Sequence, residues 1–386
     1  MDKTTRRAMR ALALASVAVL GLAGCSSGSK RAPRAPAVPA SAMKIGFFGA
    51  LSGPYARLGI NIEEAEQLAV AQYDRTGPKY PVTVDMFDSR GEPARAGTGA
   101  AKLIRDGDLA VIGPAFAGES AVADPIFERA RVPDISASAT NVSLAQHGWR
   151  FFHRVLADDG AQGRADGDYL VKTLGDRTVG VIDDGSTYGA GLAADVGNQV
   201  RADGGTVVVA AHLNPNHTDL GTTVAQVMAT RPSAVFYGGY YAGAGLLVKQ
   251  LRASGYRGVF MSGDGSDDPR FVTAAGRAAE GAYVSCACAD PTQMHSASSF
   301  VRAFESMFHT DPGVFSAEAY DATNFVLAAI SAGDTTPVAV NDYLASNSYS
   351  GITKNIRFLP DGNVAAGTVY VSRVEDGKIV QVGTSG

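Results

Sequence analysis

Cysteine is scarce in this chain of 386 residues, which has only Cys25, Cys286 and Cys288. So few thiols exclude a small scaffold held together by disulfides, and a single Cys-x-Cys without a neighbouring histidine is not a zinc signature. Cys286 and Cys288 fall in an apolar run, where a strand would put both on one face and a bridge between them would be strained. The sequence therefore favours two buried thiols over a disulfide or a metal site.

Long apolar runs and an excess of positive charge are also lacking beyond the N-terminal region. No segment after the first 24 residues reaches eighteen uninterrupted apolar residues, which excludes a further membrane-spanning helix. The net charge is −4, but residues 1–24 and 26–42 each carry +3, so that −10 remains for the rest of the chain. A surface that acidic repels phosphate backbones, and we expect no nucleic-acid partner.

The motifs of the common enzyme classes are missing as well. Gly189-Ala-Gly191-Leu-Ala-Ala194 fits the dinucleotide fingerprint only loosely, because residues 183–188 separate it from the preceding strand. No Gly-x-Ser-x-Gly elbow occurs, and the acidic turn around Asp264 and Asp267 lacks the spacing of a calcium loop. We therefore expect a protein that is not an enzyme and has no cofactor and no metal site.

What the chain does have begins with a secretory leader. Residues 1–24 combine four basic residues with a small, apolar run that is too short to span a membrane stably. Leu22-Ala-Gly-Cys25 closes the leader and resembles a bacterial lipobox, in which Cys25 receives a lipid and becomes the N-terminus after cleavage. An ordinary signal peptide is the alternative, and Thr5-Arg6-Arg7 leaves twin-arginine export open. Residues 25–42, rich in Ser, Gly, Pro and Ala, predict a flexible tether.

From Met43 onward, short apolar runs alternate with stretches of helical periodicity. The predicted strands are 44–49, 82–87, 109–113, 178–182, 206–211, 234–237 and 259–261. Helices are predicted over 60–73 and 93–106, and 368–382 predicts a hairpin on an Asp-Gly turn. The alternation predicts an α/β fold with parallel sheets covered by helices on both faces, and the chain length favours two doubly wound, Rossmann-like lobes.

Ligands of such sheets bind beyond the carboxyl ends of the strands. The loops that follow the predicted strands are rich in glycine, small hydroxyl residues and tyrosine. These loops are 49–55, 113–119, 136–141, 183–189, 238–241 and 262–266. Their backbone N–H groups and hydroxyls suit an anion at a helix N-terminus, but they do not pair a nucleophile with a base.

Four pieces of these loops, at matching separations, resemble the bacterial leucine/isoleucine/valine-binding proteins. The pieces are Ala50-Leu-Ser-Gly-Pro54, Ser138-Ala-Thr-Asn141, Tyr188-Gly-x-Gly-Leu192 and Phe236-Tyr-Gly-Gly-Tyr-Tyr241. The match runs in register from Lys44 to about Ala289 and more loosely to the C-terminus. It implies the type I periplasmic-binding fold, with two lobes joined by a three-segment hinge. The implied N-lobe is 43–157 plus 288–360, and the implied C-lobe is 158–287 plus 361–386.

The resemblance also implies a site for a free amino acid between the lobes. Ser138 and Thr140 correspond to the positions that bind the ligand carboxylate, and Tyr188, Tyr240 and Asp264 to those around the ammonium. Two departures from the family pattern concern Ala117, which replaces a hydroxyl residue, and Leu58, which replaces an aromatic over the ligand side chain. The backbone N–H groups of Ala117 and Gly118 remain available as donors. A buried zwitterion needs both of its charges matched, and this set supplies donors and an acid.

The family implies a solute-binding lipoprotein on the extracytoplasmic face of the cell membrane. We expect it to capture a small amino acid, with Leu, Ile and Val favoured, and to deliver it to the permease and ATPase subunits of an ABC transporter. A monomer is expected. A membrane-tethered ligand sensor for a signalling partner is the alternative role, and a small amide, an aromatic or an organic acid is the alternative ligand.

The lipobox predicts that Cys25→Ala releases the protein from the membrane fraction, because the rest of the sequence has no spanning segment. Fractionation followed by a high-salt wash measures this release. The lipid-anchor hypothesis is wrong if the variant still pellets with the membranes to the same extent as the parent.

Overall fold

The computed structural model describes residues 42–213 and 218–385. The predicted signal peptide, the lipidation site Cys25 and the tether up to residue 41 lie outside the described residues. Within the part of the chain that is described, no helix combines the length and the apolar composition that crossing a bilayer requires.

Strands and helices alternate along the described chain. The strands are β1 (Met43–Gly49), β2 (Val82–Asp88), β3 (Val111–Ile112), β4 (Asp134–Ser136), β5 (Phe152–Arg154), β6 (Thr178–Asp183), β7 (Thr206–His212), β8 (Ala234–Gly238), β9 (Val259–Ser262), β10 (Tyr283–Cys286), β11 (Tyr349–Ser350), β12 (Asn355–Ile356), β13 (Val369–Glu375) and β14 (Lys378–Ser385). The α-helices are α1 (Ala56–Asp74), α2 (Pro93–Asp106), α3 (Ala117–Ala130), α4 (Asp159–Asp168), α5 (Thr187–Ala202), α6 (Gly221–Thr230), α7 (Tyr241–Ala253), α8 (Pro269–Ala275), α9 (Ser298–Phe308), α10 (Ser316–Ala332) and α11 (Pro337–Ser346).

The strands form two large sheets with the same internal order. The first sheet runs β2-β1-β3-β4-β5 and is parallel throughout. The second runs β14-β13-β10-β9-β8-β6-β7, and its strands from β7 to β10 are parallel in the corresponding order. In both sheets the order reverses beside the first strand, which is where doubly wound folds place their ligands.

The chain passes between the two sheets three times. It crosses between β5 and β6, again after β10, and a third time before β13. Helix α4 packs against α5 beside the second sheet, whereas α9 and α10 pack against α1 beside the first. The expected α/β class, with two doubly wound parts joined by three segments, is confirmed, and the exact lobe boundaries stay a prediction.

Local sequence signals explain where helix α2 begins and ends and where the C-terminal hairpin turns. Helix α2 begins at Pro93, whose missing N–H costs nothing in a first turn, and ends before Gly107, which adopts the left-handed conformation with φ 84°. The predicted hairpin is confirmed, since β13 and β14 pair in antiparallel fashion. Asp376 and Gly377 between them both have the positive φ that a two-residue turn requires.

The expectation of two free thiols is wrong, because Cys286 and Cys288 form a disulfide. Cys286 is the last residue of β10, and Cys288 follows where the chain leaves the sheet. The pair is therefore not held on one face of a continuous strand, as the sequence analysis assumed. The two Cα atoms lie 5.0 Å apart, within the range that disulfides span.

Candidate ligand-binding site

The carboxyl ends of the two sheets meet and enclose a cavity. The Tyr241 hydroxyl of the second sheet's side donates to the carbonyl of Pro54, which follows β1. The rings of Tyr55 and Tyr240 lie 4.4 Å apart across the same boundary. These contacts bring the loops after β1 and β8 together, so the structure shows a closed arrangement of the two sheets.

The cavity is small, with about 300 Å³ of space between atoms when the part open to solvent is included. Its lining residues are Leu58, Ala115, Phe116, Ala117, Ser138, Ala139, Thr140, Tyr188, Tyr240, Asp264, Gly265 and Phe315. Every predicted ligand-binding residue except Gly118 is among them. Gly118 lies in the first turn of α3 beside Pro93 and Thr187 and does not belong to the lining.

The first sheet contributes hydrogen-bond donors at the N-terminus of α3. No hydrogen bond from the N–H groups of Ala117 or Gly118 is found within residues 42–213 and 218–385, and the helix has no side-chain cap. The first N–H groups of any helix lack partners inside it and carry its positive dipole end. This end of the cavity therefore suits the carboxylate of a ligand, as the sequence analysis expected for this loop.

Ser138 and Thr140 lie beside that helix end on the loop after β4. The Ser138 hydroxyl donates to the carbonyl of Ala115 at 2.7 Å, so its hydrogen is already engaged in this structure. The Thr140 hydroxyl lies near the carboxyl of Asp159 but completes no hydrogen bond of good geometry with a described residue. Of the two predicted hydroxyls, Thr140 is thus the one that is not engaged by a backbone carbonyl, and the Asp159 carboxyl competes with a ligand for its hydrogen.

The second sheet contributes a tyrosine pair and a glycine. The Tyr188 and Tyr240 rings lie 5.4 Å apart, and Tyr188 accepts a hydrogen bond from the N–H of Gly265 at 3.0 Å. A Cβ at Gly265 would come within 2.8 Å of Tyr188 and 3.0 Å of Tyr240, closer than side chains pack. Only glycine therefore lets the loop after β9 approach both rings.

Asp264 lies on that loop, and only 1 % of its surface is exposed. Its Oδ1 accepts from the N–H of Gly265 at 2.8 Å, whereas its Oδ2 completes no hydrogen bond of good geometry with a described residue, although the Tyr188 hydroxyl lies close to the carboxyl group. Burial raises the pKa of Asp264 to about 6, although the Tyr188 hydroxyl and the Gly265 N–H lower it. A buried carboxylate with one unused oxygen on a cavity wall is a receptor for a cation.

A second buried acid near Asp264 was missed by the sequence analysis. Asp159 begins α4, is fully buried, and has no hydrogen-bond partner of good geometry on either carboxyl oxygen among the described residues. Burial raises the pKa of Asp159 well above its usual range, and the charge of Asp264 raises it further. Asp159 therefore tends to keep its proton and stay neutral, so that Asp264 is the one of these two acids that carries a charge above about pH 6.

The remaining wall of the cavity is apolar. Leu58 from α1 is buried, and so are Phe116 and Phe315, which the sequence analysis did not name. Phe116 directly precedes Ala117, which was predicted to bind the ligand, so its position on the same loop could have identified it as a lining residue. Phe315 precedes α10, far from every recognised motif, and no sequence signal pointed to it.

The cavity thus has helix-end donors, a buried acid and an apolar wall, an arrangement that can hold a small zwitterion. A family model described as "Periplasmic binding protein" matches residues 42–378. The chain belongs to this periplasmic binding protein family. The resemblance found in the sequence is thereby confirmed, and the protein is similar in sequence and structure to binding proteins for branched-chain amino acids.

Two curated relatives illustrate the sequence similarity. The leucine-, isoleucine-, valine-, threonine- and alanine-binding protein of Pseudomonas aeruginosa is 27% identical over 331 residues, covering 84% of this chain and 88% of the relative. The leucine-specific-binding protein of Salmonella typhimurium is 30% identical over 247 residues, covering 64% of this chain and 67% of the relative.

Solved structures show the same fold. The leucine-binding protein LivK of Thermotoga maritima aligns with a TM-score of 0.83 at 26% identity, covering 89% of this chain and 98% of that one. LivJ of Streptococcus pneumoniae, solved in complex with isoleucine, aligns with a TM-score of 0.81 at 27% identity, covering 89% and 99%. This periplasmic binding protein therefore has both the family's sequence and its architecture.

The raised pKa of Asp264 predicts a pH-dependent effect of Asp264→Asn on the ligand-free protein. The folded protein keeps the Asp264 proton up to about pH 6, whereas the unfolded chain loses it near the ordinary value of 3.8, so folding stability falls as pH rises between these values. Asn carries no charge. The variant should therefore gain up to about 3 kcal/mol over the parent between about pH 4 and pH 7.5, at 1.36 kcal/mol per pKa unit.

Urea unfolding of both proteins across this pH range measures the difference. Asp342→Asn, at an exposed position of α11, is the matched control and should leave the pH dependence unchanged. A stability difference between Asp264→Asn and the parent that stays constant with pH would contradict the burial of an ionisable carboxylate.

Proposed function

We propose that this protein captures a small amino acid with an aliphatic side chain, with Leu, Ile and Val favoured, and delivers it to an ABC permease. The observation that carries the proposal is the Oδ2 atom of Asp264, which is buried on the cavity wall and has no cation and no hydrogen bond of good geometry among the described residues. An α-ammonium group placed there would supply the missing donor and the missing positive charge.

The opposite end of the cavity supports a carboxylate on the same ligand. The N–H group of Ala117 is free to donate into the cavity, and the helix dipole of α3 favours a negative charge there. The Thr140 hydroxyl on the same wall is a second donor if the ligand carboxylate displaces its contact with Asp159. A zwitterion that meets both ends leaves no uncompensated ligand charge inside the protein. A ligand with only one of the two charges would leave one end of the cavity unpaired.

The apolar wall sets the class of side chain. Leu58, Phe116 and Phe315 offer carbon surface to the ligand and no charge. Burial of a branched aliphatic side chain against such a wall contributes roughly 1.5–3 kcal/mol to binding, whereas a charged side chain would lose its hydration there. The names of the relatives from Pseudomonas aeruginosa and Salmonella typhimurium, which bind leucine and similar amino acids, agree with this preference.

The closed arrangement supports a binding mechanism in which two lobes close on the ligand. We place the N-lobe at 43–157 with 288–360 and the C-lobe at 158–287 with 361–386, so that Thr140 belongs to one lobe and Asp264 to the other. Only the closed form lets one ligand contact both ends, and binding therefore favours closure. We further propose that Cys25 carries the lipid anchor, so that the closed protein meets the permease at the extracytoplasmic face of the membrane.

An aromatic acid is the competing ligand class. A solute-binding protein from R. palustris with this fold, at 21% identity and a TM-score of 0.78, was solved in complex with benzoate. Benzoate has no ammonium group and would leave the Asp264 carboxylate without a partner. The acid at position 264 therefore favours an amino acid over an aromatic acid for this chain.

Substitution of Asp264 tests the proposed function. Removal of one partner of a buried charge pair typically costs 2–5 kcal/mol, so Asp264→Ala should weaken binding of leucine, isoleucine or valine by about 30-fold to several thousand-fold. Asp264→Asn should lose less, because it keeps an acceptor oxygen. Isothermal titration calorimetry gives the three affinities, and exposed Asp342→Ala is the matched control.

Two outcomes would contradict the proposal. One is that the parent protein binds none of the three amino acids at millimolar concentration. The other is that Asp264→Ala binds within about threefold of the parent, which would put the ammonium elsewhere.

A further inference from the structure

Two cysteines and an aspartate form a compact group behind the loop that carries Asp264. The sulfur atoms of Cys286 and Cys288 and a carboxylate oxygen of Asp267 all lie within 4.8 Å of one another. Cys286 ends β10 and Cys288 lies in the segment that leaves the second sheet, while Asp267 directly follows the short turn Asp264–Ser266. Three separate backbone positions therefore present S, S and O atoms to one point.

The two sulfurs are bonded to each other in this structure, so the group is a disulfide with a neighbouring carboxylate. Reduction would leave two thiols whose sulfurs move apart to non-bonded distance, while the Cα atoms of the two residues are already only 5.0 Å apart. The backbone N–H of Cys288 already donates to the Cys286 sulfur at 3.2 Å, a contact that would stabilise a thiolate. Two thiolates and a carboxylate are a ligand set for zinc and similar divalent ions.

The group is reachable from solvent through a wide cleft of about 1330 Å³ of empty space. Asp267 and Cys288 line this cleft, together with the exposed carboxylates of Asp290 and Asp311. No hydrogen bond or ion pair occupies the Asp267 carboxylate within residues 42–213 and 218–385. The charged lining of the cleft consists of Asp267, Asp290 and Asp311 against the exposed Lys378, so a cation that enters meets a net negative charge and a carboxylate beside the sulfurs.

We propose that reduction of the Cys286–Cys288 disulfide creates a binding site for a thiophilic divalent cation such as Zn²⁺. A phosphine or dithiol reductant supplies two electrons to the S–S bond, which is cleaved to two thiols. With a phosphine, water supplies the two protons and the oxygen of the phosphine oxide; a dithiol supplies its own two protons and becomes a disulfide. The metal ion then binds both sulfurs and one Asp267 oxygen, and the two thiol protons pass to solvent. Water completes the fourth position of a tetrahedral ion. This site is separate from the amino-acid cavity and does not depend on the proposed function.

Cobalt spectroscopy on the full chain tests the site directly. The protein used for this test has the substitution Cys25→Ser, so that Cys286 and Cys288 are its only cysteines. After phosphine reduction and removal of the reductant, one equivalent of Co²⁺ should give a near-ultraviolet thiolate-to-cobalt absorption, which Zn²⁺ then abolishes by displacement. The oxidised protein should give no such absorption, because its sulfurs carry no free thiolate.

Matched variants assign the ligands. Cys286→Ser should abolish the absorption. Asp267→Asn should weaken cobalt affinity by at least about tenfold, because loss of a residue that merely hydrogen-bonds to a metal ligand already costs about that much. Asp311→Asn, which removes an exposed carboxylate from the same cleft, should retain the absorption and most of the affinity. Without any ligand substitution, Zn²⁺ should raise the unfolding temperature of the reduced protein and leave that of the oxidised protein unchanged. This second readout shows binding to the folded protein independently of cobalt absorption.

The proposal is overturned if the reduced protein gives no thiolate absorption and no zinc-dependent rise in unfolding temperature. It is overturned equally if Cys286→Ser or Asp267→Asn binds Co²⁺ as tightly as the reduced parent, since the ion would then lie elsewhere.

Discussion

The unpaired carboxylate of Asp264 is the feature on which the rest of this site depends. Transfer of an ionised carboxylate from water into a closed cavity costs free energy. Asp264 is buried, and it forms no ion pair with a Lys, Arg or His among residues 42–213 and 218–385 that would offset this cost. The protein compensates only in part, through the Gly265 N–H and the nearby Tyr188 hydroxyl. The remaining cost is offset when a positively charged group enters the cavity.

The fold places this acid opposite the donors that complete the ligand's charge balance. The parallel parts of the two sheets have corresponding strand orders, and their carboxyl ends face each other. The N-terminus of α3 therefore faces the loop after β9, and neither end alone matches a zwitterion. Gly265 allows Tyr188 and Tyr240 to approach that loop, and this close packing excludes water from the charged end of the cavity.

The sequence predicted those parts that local chemistry determines. Helix α2 follows from Pro93 and Gly107, the C-terminal hairpin from Asp376-Gly377, and the acid, hydroxyls and tyrosines of the site from loops at strand ends. The sequence did not predict Phe315 or Asp159, because both reach the site only through packing of α10 and α4 at long range. The disulfide was missed because its geometry depends on where β10 ends, a boundary that residue types alone do not fix.

The central claim is that the cavity recognises an ammonium group through Asp264, and a comparison of two ligands tests it most directly. Leucine and its deaminated analogue, 4-methylpentanoate, share the carboxylate and the branched side chain and differ in the ammonium alone. Calorimetric titration of the parent protein should show leucine binding at least about 30-fold more tightly, since the analogue leaves a buried charge unpaired. Equal affinities for the two ligands would contradict the account.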